Sequence, residues 1–398
     1  MVGHPLRTVD EHRAAVRALL APALQPRAEV IDLAHALGRR TARAVASPVD
    51  LPLFRNSQMD GFAVRAADLA GPAATLPIAG EASARAGEAL TLPPGAAIRI
   101  MTGAPMPAGA DAVVPVEQTE ATGDTVTIRH AVPAGAFVRE RGSDLRAGDR
   151  ILPASRELGP RHLAALAAAG IRELSVLRKP RILVVSTGSE LVPYTAEPGP
   201  GQVYDANAIA LESAIRLAGA EVTGSVWVAD DPARLAAVLA GAAPAPDLVV
   251  TSGGISAGAY EVVRQVIEPL GGWLGHVAMQ PGGPQATATV SGIPLLGFPG
   301  NPVSTQISFE VFLAPLLREA AGLPAARRLQ CALAAPVRSV PGKRQFLRGR
   351  LLDDGRVEAV AGPGSHLVAA MASADALIDV PGDVTELAAG ASVEVWVL

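Results

Sequence analysis

The chain has 398 residues, 49% of them hydrophobic, and a formal charge of −4 at pH 7. This length predicts roughly two to four compact units, and the charge gives no electrostatic reason to expect a nucleic acid partner. The sequence contains no run of eighteen apolar residues that would predict a membrane span, and residues 1–10 lack the pattern of a secretory signal. The lone Cys331 excludes an internal disulfide framework and a cysteine zinc cluster, and it fits a reducing cytosol.

The first fifty residues predict two helices. Residues 8–20 have apolar side chains at helical spacing, acidic residues near the start and Pro22 just beyond the end. Residues 29–37 predict a second helix, with Gly38 at the left-handed position that commonly terminates helices.

Residues 54–138 have a different pattern. Short apolar runs alternate with glycine and proline turns, which predicts β structure with no long helix. A helix over 158–169 and a strand over 171–177 are expected next, followed by a junction at 178–181.

Beyond this junction, strands and helices alternate. The predicted strands span 182–186, 221–228, 248–251 and 293–296, and the predicted helices span 206–218, 232–240, 260–270 and 303–320. This alternation favours a mainly parallel sheet with helices on both faces, and such sheets bind ligands at the carboxyl ends of their strands. After a second junction at 322–328, short strands return up to residue 398 and predict a small β-barrel or sandwich.

Three loops that follow predicted strands could bind an anion. Residues 186–190, STGSE, offer hydroxyl and backbone N–H donors and then a carboxylate, although a tight turn with a solvated glutamate explains them equally well. Residues 248–258, LVVTSGGISAG, are neither a Walker loop nor a Rossmann fingerprint, so they indicate either phosphate binding or a packing turn. Residues 297–304, GFPGNPVS, predict a rigid ligand wall or simply a rigid turn.

Several carboxylates lie in predicted loops or at element ends. They are Asp60, Asp144, Glu190, Asp205, Asp230, Asp231 and Glu261. Such oxygens suit Mg²⁺, which takes one or two carboxylates together with substrate phosphate oxygens, but Asp205 and Asp231 could instead be helix caps. No histidine pair has the spacing of a zinc site, and no nucleophile elbow or reactive cysteine supports covalent hydrolysis.

Together, the segments resemble the molybdopterin molybdenumtransferase family, which includes MoeA and the E domain of gephyrin. The matching pieces extend over nearly the whole chain and are NSQMDGFAV (56–64), RIMTGAPMPAGADAVVPVEQ (99–118), RGSDLRAGD (141–149), STGSEL (186–191), YDANA (204–208), DDP (230–232), TSGGISAG (251–258), GFPGNPVS (297–304) and GPGSH (362–366). The order and combination of the pieces are specific, whereas each piece alone is not.

The resemblance implies a multidomain α/β plus β architecture. Its four parts are a discontinuous helical and β domain at 1–50 and 139–180, an inserted β-rich domain at 51–138, a doubly wound α/β domain like that of molybdopterin adenylyltransferases at 181–325, and a small β-barrel at 326–398. It also implies a cytoplasmic homodimer, with active sites between one subunit's α/β domain and the partner's inserted domain. Molybdopterin adenylyltransferase and other proteins of the molybdenum cofactor pathway are the implied partners.

The implied reaction takes adenylylated molybdopterin, molybdate and Mg²⁺, and yields molybdenum cofactor and AMP. By position, the resemblance assigns catalysis to Asp60, Thr102, Asp144, Glu190 and Asp230, and metal binding to Glu190, Asp230 and Glu261. It assigns substrate contacts to Ser186, Thr187, Gly188, Ser252, Gly253, Gly254 and Ser256, and the oxyanion pocket to Pro299, Asn301, Ser304, Arg348 and Ser365.

Three features depart from the family's pattern. Two lysines that would hold the oxyanion are replaced by Gln280 and Gly283, the acidic or amide residue before Glu190 is Ser189, and an acidic pair is reduced to Ala259 and Glu261. Loss of two cations should weaken anion binding. The alternative function is therefore a paralogue that binds the pterin nucleotide or scaffolds the pathway without turnover, and a nucleotide pyrophosphatase is a third possibility.

Overall fold

The computed structural model describes residues 5–69, 71, 73–85, 87, 90–242, 245–256 and 261–398. The chain divides into two compact units, one formed by Ala28–Leu177 and the other by Met1–Arg27 together with Arg178–Leu398. Within the described ranges, no helix is long and apolar enough to cross a membrane. The finer division into four domains stays a prediction.

Helix α1 (Val9–Leu20) confirms the first predicted helix. Thr8 caps it, because its hydroxyl accepts a hydrogen bond from the Glu11 N–H at 3.2 Å while the Glu11 carboxylate accepts one from the Thr8 N–H at 2.7 Å. The buried face of α1 packs into the cores of the second unit, with Val16 and Leu20 in one hydrophobic cluster and Val9 in another.

Burial controls the protonation of His12, which lies on the inner face of α1. Its imidazole centroid is 5.0 Å from the Trp273 ring and 4.7 Å from the Phe312 ring. The Arg7 guanidinium lies 3.4 Å from Nδ1 of His12, and since a guanidinium can only donate, this nitrogen accepts. Desolvation, followed by the Arg7 charge, lowers the pKa of His12 to about 3.

We expect the stability of the protein to fall as the pH drops below about 6.5, the ordinary pKa of histidine. The unfolded chain protonates His12 near that pH, whereas the folded protein protonates it only near pH 3. The stabilisation is therefore complete above the unfolded pKa and is lost towards the folded one, by at most about 1.4 kcal/mol per pH unit. The urea concentration at the midpoint of unfolding should decrease less steeply from about pH 6.5 to about pH 4 in His12→Gln than in the wild type. This range lies roughly between the two pKa values of His12. The exposed His35→Gln should retain the wild-type slope, and equal slopes in all three proteins would contradict the prediction.

The unit Ala28–Leu177 consists mainly of short strands. Its elements are β1 (Ala28–Asp32), β2 (Val45–Ala46), β3 (Asn56–Ser57), β4 (Gly61–Val64), β5 (Ala74–Ala82), β6 (Ala97–Ile100), β7 (Ala112–Pro115), β8 (Thr119–Thr122), β9 (Thr125–Ile128), β10 (Val138–Arg139), β11 (Arg150–Leu152), α2 (Pro160–Ala168) and β12 (Glu173–Leu177), with 3-10 turns at Leu33–His35, Ala66–Leu69 and Val116–Gln118. A six-stranded sheet has the order β7-β4-β6-β5-β9-β8, in which only the β5–β6 pair is parallel among the described residues. The predicted β-rich character of 54–138 is confirmed.

Residues 29–37 do not form the predicted helix. Strand β1 pairs antiparallel with β12, from Ala28 opposite Leu177 to Asp32 opposite Glu173, and a 3-10 turn follows it. The apolar spacing suggested a helical face, but Val30 is 65% exposed and the hydrogen-bond partners lie at the other end of the unit. Only the left-handed conformation of Gly38, with φ of 70°, is as expected.

The α/β part of the second unit contains the alternating pattern. Its elements are β13 (Arg181–Thr187), β14 (Leu191–Val192), β15 (Val203–Tyr204), α3 (Ala206–Leu217), β16 (Glu221–Val228), α4 (Pro232–Gly241), β17 (Leu248–Ser252), α5 (Val262–Ile267), β18 (Trp273–His276), β19 (Met279–Gln280), β20 (Pro284–Val290), β21 (Ile293–Phe298), α6 (Pro302–Ser308) and α7 (Ala314–Ala321), with a 3-10 turn at Glu268–Leu270 and a π-helical turn at Phe309–Leu313. Tyr260, the expected start of α5, lies outside the described residues.

The main sheet has the order β16-β13-β17-β21-β20-β18. Strands β16, β13, β17 and β21 are parallel, which confirms the mainly parallel prediction, whereas β20 and β18 add an antiparallel edge that the sequence did not predict. Side chains alternate between the faces of β13: Ile182 and Val184 face a cluster with residues of α1, α3 and α7, while Leu183 and Val185 face residues of α4 and α5. Helices therefore cover both faces.

The segment predicted as one helix over 303–320 is interrupted. Helix α6, a π-helical turn and α7 follow one another, and Pro315 lies at the start of α7. Proline has no N–H to donate to the carbonyl of Val311 four residues earlier. The Arg13 Nε of α1 donates to that carbonyl at 3.3 Å, so α1 supplies a hydrogen bond to the interrupted helix.

The C-terminal part returns to short strands, as predicted. Its elements are β22 (Arg328–Ala332), β23 (Val337–Arg338), β24 (Arg344–Leu351), β25 (Val357–Ala359), α8 (Val368–Ala372), β26 (Ala376–Val380), β27 (Glu386–Leu387) and β28 (Ser392–Val397). Its sheet has the order β19-β24-β26-β28-β22, with β25 paired to β24. Strand β19 comes from the α/β part and places Gln280 opposite Gln345, so the two parts are joined by backbone pairing.

Candidate active-site cavity

A cavity of about 940 Å³ lies at the carboxyl ends of the parallel strands. The loops after β13, β16, β17 and β21 line it, together with the start of α3 and segments around residues 280–284 and 363–366. This is the position at which open α/β sheets bind ligands, and the volume lies within the usual range for ligand sites.

The loops after β13 and β16 are joined by side-chain hydrogen bonds. Oδ2 of Asp230 accepts hydrogen bonds from the Ser189 N–H at 3.1 Å and from the Ser189 hydroxyl at 2.6 Å. The indole N–H of Trp227 donates to the Gly188 carbonyl at 2.8 Å. A Cβ on Gly188, whose φ is 141°, would lie 2.5 Å from the Glu190 carboxylate. Ser189 therefore orients Asp230 at the cavity edge.

The glycine-rich loop after β17 depends on two glycines in left-handed conformations. Gly253 and Gly254 have φ of 87° and 67°. A Cβ on Gly253 would lie 2.7 Å from the Thr187 carbonyl oxygen, and one on Gly254 would lie 2.8 Å from the Thr187 hydroxyl. The hydroxyl of Thr187 also donates to the Ser252 carbonyl at 3.2 Å. The loop is thus a close packing turn that also lines the cavity.

The loop after β21 is held by its own side chains. The Thr305 hydroxyl donates to the carbonyls of Pro299 at 2.5 Å and Asn301 at 3.1 Å. The Asn207 amide donates to the Gly300 carbonyl at 2.7 Å, and its Oδ1 is buried with no partner among the described residues. These contacts make a rigid cavity wall, as the sequence suggested.

Arg348 lies behind the wall. It is buried, and its guanidinium donates to the carbonyls of Val360, Gly362 and Gly364, the last at 3.0 Å. Burial lowers its pKa from the usual arginine value. Its contacts hold the loop that carries Ser365 to the cavity, and Arg348 itself is not among the described residues that line the cavity.

The structure gathers most residues assigned from the resemblance around one cavity. They are Thr187, Gly188, Glu190, Asp230, Ser252, Gly253, Gly254, Ser256, Glu261, Pro299, Asn301, Ser304 and Ser365. Ser186 is buried beneath them and accepts a hydrogen bond from the Ser252 hydroxyl at 3.4 Å. Ala259 lies outside the described residues. Asn207 and His366 also line the cavity; the sequence reasoning assigned them no role, although both belong to quoted segments.

The other assigned residues lie in the unit Ala28–Leu177. Oδ1 of Asp60 accepts hydrogen bonds from the Thr102 N–H at 2.6 Å and from its hydroxyl at 2.7 Å. These hydrogen bonds, of which the one from the hydroxyl has the larger effect, lower the pKa of Asp60. This exposed carboxyl group is therefore held as an anion. Asp144 is exposed in another loop, where its N–H donates to the Leu51 carbonyl at 3.0 Å.

The cavity is acidic. Among its described lining residues are Glu190, Asp205, Asp230 and Glu261, and no lysine or arginine. These oxygens fit Mg²⁺ in kind, because this ion binds one or two carboxylates and completes its shell with substrate phosphates and water. No group of three or more histidine, cysteine or acidic side chains in the described ranges could hold a metal ion alone. A metal here would complete its shell with water or substrate oxygens.

The two positions that lack the family's lysines differ in their surroundings. Gln280 lines the cavity, and its Oε1 accepts a hydrogen bond from Nε2 of the buried Gln345 at 2.5 Å. Gly283 is not among the described lining residues, and a Cβ there would meet its nearest neighbour, the Val277 carbonyl, at 3.5 Å. Of these two positions, Gln280 is the one among the described residues that line the cavity.

The fold places this cavity at the carboxyl ends of parallel strands, the position at which open α/β sheets bind ligands. The MoeA N-terminal region (domain I and II) matches residues 7–170, a probable molybdopterin binding domain matches residues 183–319, and the MoeA C-terminal region (domain IV) matches residues 330–398. The chain therefore belongs to the MoeA family, and the resemblance found in the sequence is confirmed.

Individual relatives match the chain over its length. It is 43% identical to molybdopterin molybdenumtransferase 2 of Mycobacterium tuberculosis, over 98% of this chain and 99% of that protein. It is 35% identical to the molybdopterin molybdenumtransferase of Synechococcus elongatus, over 96% of this chain and 98% of that one. The crystal structure of a molybdopterin biosynthesis MoeA protein from Pyrococcus horikosii matches with a TM-score of 0.78 and 32% identity, over 99% of both chains.

Proposed function

We propose that the protein is a molybdopterin molybdenumtransferase, which uses molybdate and adenylylated molybdopterin to form molybdenum cofactor with release of AMP. The observation that carries this proposal is the cavity itself: residues assigned from separate family segments converge on it at the carboxyl ends of the parallel strands. Full-length relatives with this name support the same activity.

The residues of the cavity suggest how the reaction is promoted. The Gly253–Gly254 turn and its serines would hold the phosphate groups close to the backbone, and the rigid wall at Asn301 would fix the oxyanion beside them. Mg²⁺ bound between the substrate and the Glu190 and Asp230 carboxylates would polarise the pyrophosphate bond. Most of the remaining rate acceleration would come from holding the two reactants in one orientation.

The activity is tested by incubating the purified protein with adenylylated molybdopterin and Mg²⁺, with and without molybdate. We expect AMP release only when molybdate is present. Release that is indifferent to molybdate would identify a pyrophosphatase, and no release under conditions in which another MoeA enzyme works would contradict the transferase.

A second candidate is a paralogue that binds the pterin nucleotide without turnover. The absence of lysine and arginine among the described cavity-lining residues favours this alternative, because an oxyanion would have no direct cationic partner there. Tight nucleotide binding without AMP release would identify it, whereas restored cofactor synthesis in cells that lack their own MoeA would exclude it.

Gln280→Lys should increase the affinity for molybdate. The substitution adds a cation to the cavity wall, and a partly screened charge pair of about 1 kcal/mol corresponds to a gain of roughly fivefold. Calorimetric titration with molybdate measures this gain, with Gln280→Met as the uncharged control for the lost Gln345 hydrogen bond. Gly283→Lys should gain less, since Gly283 does not line the described cavity. Equal affinities of the lysine and methionine variants at position 280 would contradict a direct charge effect.

The proposal includes a homodimer in the cytoplasm that receives its substrate from a molybdopterin adenylyltransferase. If Asp60 of one protomer acts with Glu190 of the other, Asp60→Asn and Glu190→Gln should each be inactive but regain part of the activity when their subunits are mixed. Mixing two preparations of the same variant is the control. Failure to regain activity after verified subunit exchange would show that the two carboxylates do not act across protomers.

A further inference from the structure

A second cavity, of about 390 Å³, shares the lining residue Asp205 with the first. Its walls are mainly apolar and aromatic, formed by Val192, Pro193, Tyr194, Ile209 and Trp227. Asp205 lines both cavities, so they meet at this residue. We call the second cavity the aromatic pocket.

The aromatic pocket concentrates a residue type that is scarce in this chain. Only 3% of the residues are aromatic. Nevertheless Tyr194 is 67% exposed and Trp227 is 51% exposed, whereas Trp273 and Trp396 are buried. Two large rings that stay in contact with water at one cavity indicate a ligand surface more than a part of the core.

The polar groups of the pocket define what it could bind. The indole N–H of Trp227 donates to the Gly188 carbonyl, and this hydrogen bond fixes the indole beside the loop that contains Glu190. Oδ1 of Asp205 already accepts from the N–H groups of Asn207 and Ala208, and Oε2 of Glu212 is paired with Arg216 at 2.9 Å, which leaves Oδ2 of Asp205 and Oε1 of Glu212 as further acceptors. A ligand with flat apolar faces and N–H donors on its edge would satisfy these groups.

We propose that the aromatic pocket binds an amino-substituted planar nitrogen heterocycle of the substrate, whose phosphates occupy the main cavity. The proposal rests on the proposed function, because adenylylated molybdopterin carries two such rings, adenine and pterin, on either side of a pyrophosphate. The shared Asp205 and the Trp227 bond to Gly188 connect the pocket directly to the phosphate-binding loops. Stacking on Tyr194 and Trp227 supplies the affinity, and the carboxylates at the edge select amino-substituted rings.

Trp227 provides the readout, because it is the exposed tryptophan. Titration of the full-length protein with AMP, and separately with pterin, should change the tryptophan fluorescence in a saturable way. The signal should be absent in Trp227→Phe, although Trp273 and Trp396 remain. A response to AMP alone assigns the pocket to adenine, a response to pterin alone assigns it to the pterin, and competition between the two shows that either ring enters.

Tyr194→Ala should lower the affinity for whichever ligand changes the fluorescence by roughly tenfold. This factor corresponds to about 1.4 kcal/mol, the contribution of one base–aromatic stack. Leu217→Ala is the matched control, since Leu217 is an exposed apolar side chain on α3 that does not line the pocket. Both positions are exposed, so neither substitution should alter the melting temperature. Calorimetry gives the affinities independently of fluorescence.

Two results of the binding experiments would overturn the proposal. One is calorimetric binding of AMP or pterin with no change at Trp227 and no loss in Tyr194→Ala. The other is dissociation of an oligomer by Tyr194→Ala at unchanged ligand affinity, which would make the patch a contact between copies of the chain. The proposed transferase function can fail separately from this proposal. A saturable change in Trp227 fluorescence without molybdate-dependent AMP release would support the assignment of the pocket and contradict the function. Conversely, turnover with an unchanged KM in Tyr194→Ala would support the function and contradict the assignment of the pocket.

Discussion

Gly253→Ala should reduce molybdate-dependent AMP release by roughly a hundredfold, since a displacement of about 1 Å in an active site has effects of that order. The added Cβ would lie 2.7 Å from the Thr187 carbonyl oxygen, which belongs to a central strand and cannot rotate away. Alanine would also be held at φ of 87°, a conformation that costs a residue with a side chain about 1–3 kcal/mol. The loop must therefore shift, and the cavity wall shifts with it.

Gly241→Ala is the control for this experiment. Gly241 ends α4, its φ is not positive, and a Cβ added to it would have no other atom within 4 Å. Its substitution should leave turnover unchanged. Thermal melts separate loss of the loop geometry from global unfolding, and Gly254→Ala should behave like Gly253→Ala because its Cβ would meet the Thr187 hydroxyl at 2.8 Å. Near wild-type turnover in both loop variants would show that this turn does not position the substrate.

Removal of divalent cations should weaken the binding of AMP by at least about tenfold. Four carboxylates line the described cavity without a lysine or arginine, and two like charges about 6 Å apart repel by roughly 3 kcal/mol at an effective dielectric constant near 20. Cations that offset this field should therefore strengthen the binding of the phosphate. Calorimetry after chelation, and again after Mg²⁺ or an equal ionic strength of K⁺ is restored, measures the effect.

Substitutions at the cavity refine this test. Asp230→Asn should bind AMP better than the wild type in the absence of Mg²⁺ and respond less to its addition. Glu268→Gln removes an exposed carboxylate that does not line the cavity, so it should respond as the wild type does. An affinity that is unaffected by chelation in all three proteins would mean that the carboxylates do not control anion entry.

The α/β alternation could be predicted because its signals are local. Buried strands appear in the sequence as short apolar runs. Asp205 and Asp231 are typical helix-capping residues, and they do cap α3 and α4 by accepting hydrogen bonds from backbone N–H groups. Strand β1 could not be predicted in this way, because its hydrogen bonds go to β12 at the opposite end of its unit. The break after α6 does have a local signal, because Pro315 has no N–H to donate, but the long apolar run on either side of this proline predicts one continuous helix.

The site was predictable to the level of loops. Parallel strands bring their carboxyl ends together, so residues far apart in the chain were expected at one edge, and the cavity lies there. The partners of individual side chains were not predictable. Ser189 binds Asp230, Arg348 of strand β24 binds the carbonyls of residues 360–364, and Gln280 binds Gln345. Each of these contacts depends on three-dimensional packing.

The position of α1 has a consequence for the order in which the molecule is completed during synthesis. This helix precedes the unit Ala28–Leu177 in the chain, and the Val311 carbonyl that accepts a hydrogen bond from Arg13 is made about 300 residues after Arg13. The unit Ala28–Leu177, in contrast, is one continuous stretch and holds all its strand partners when its last residue has emerged. The nascent chain therefore carries an amphipathic helix with an uncovered apolar face until these later residues are made. In that interval the capping box at Thr8 and Glu11 and the ion pair between Asp10 and Arg13 can stabilise the helix locally.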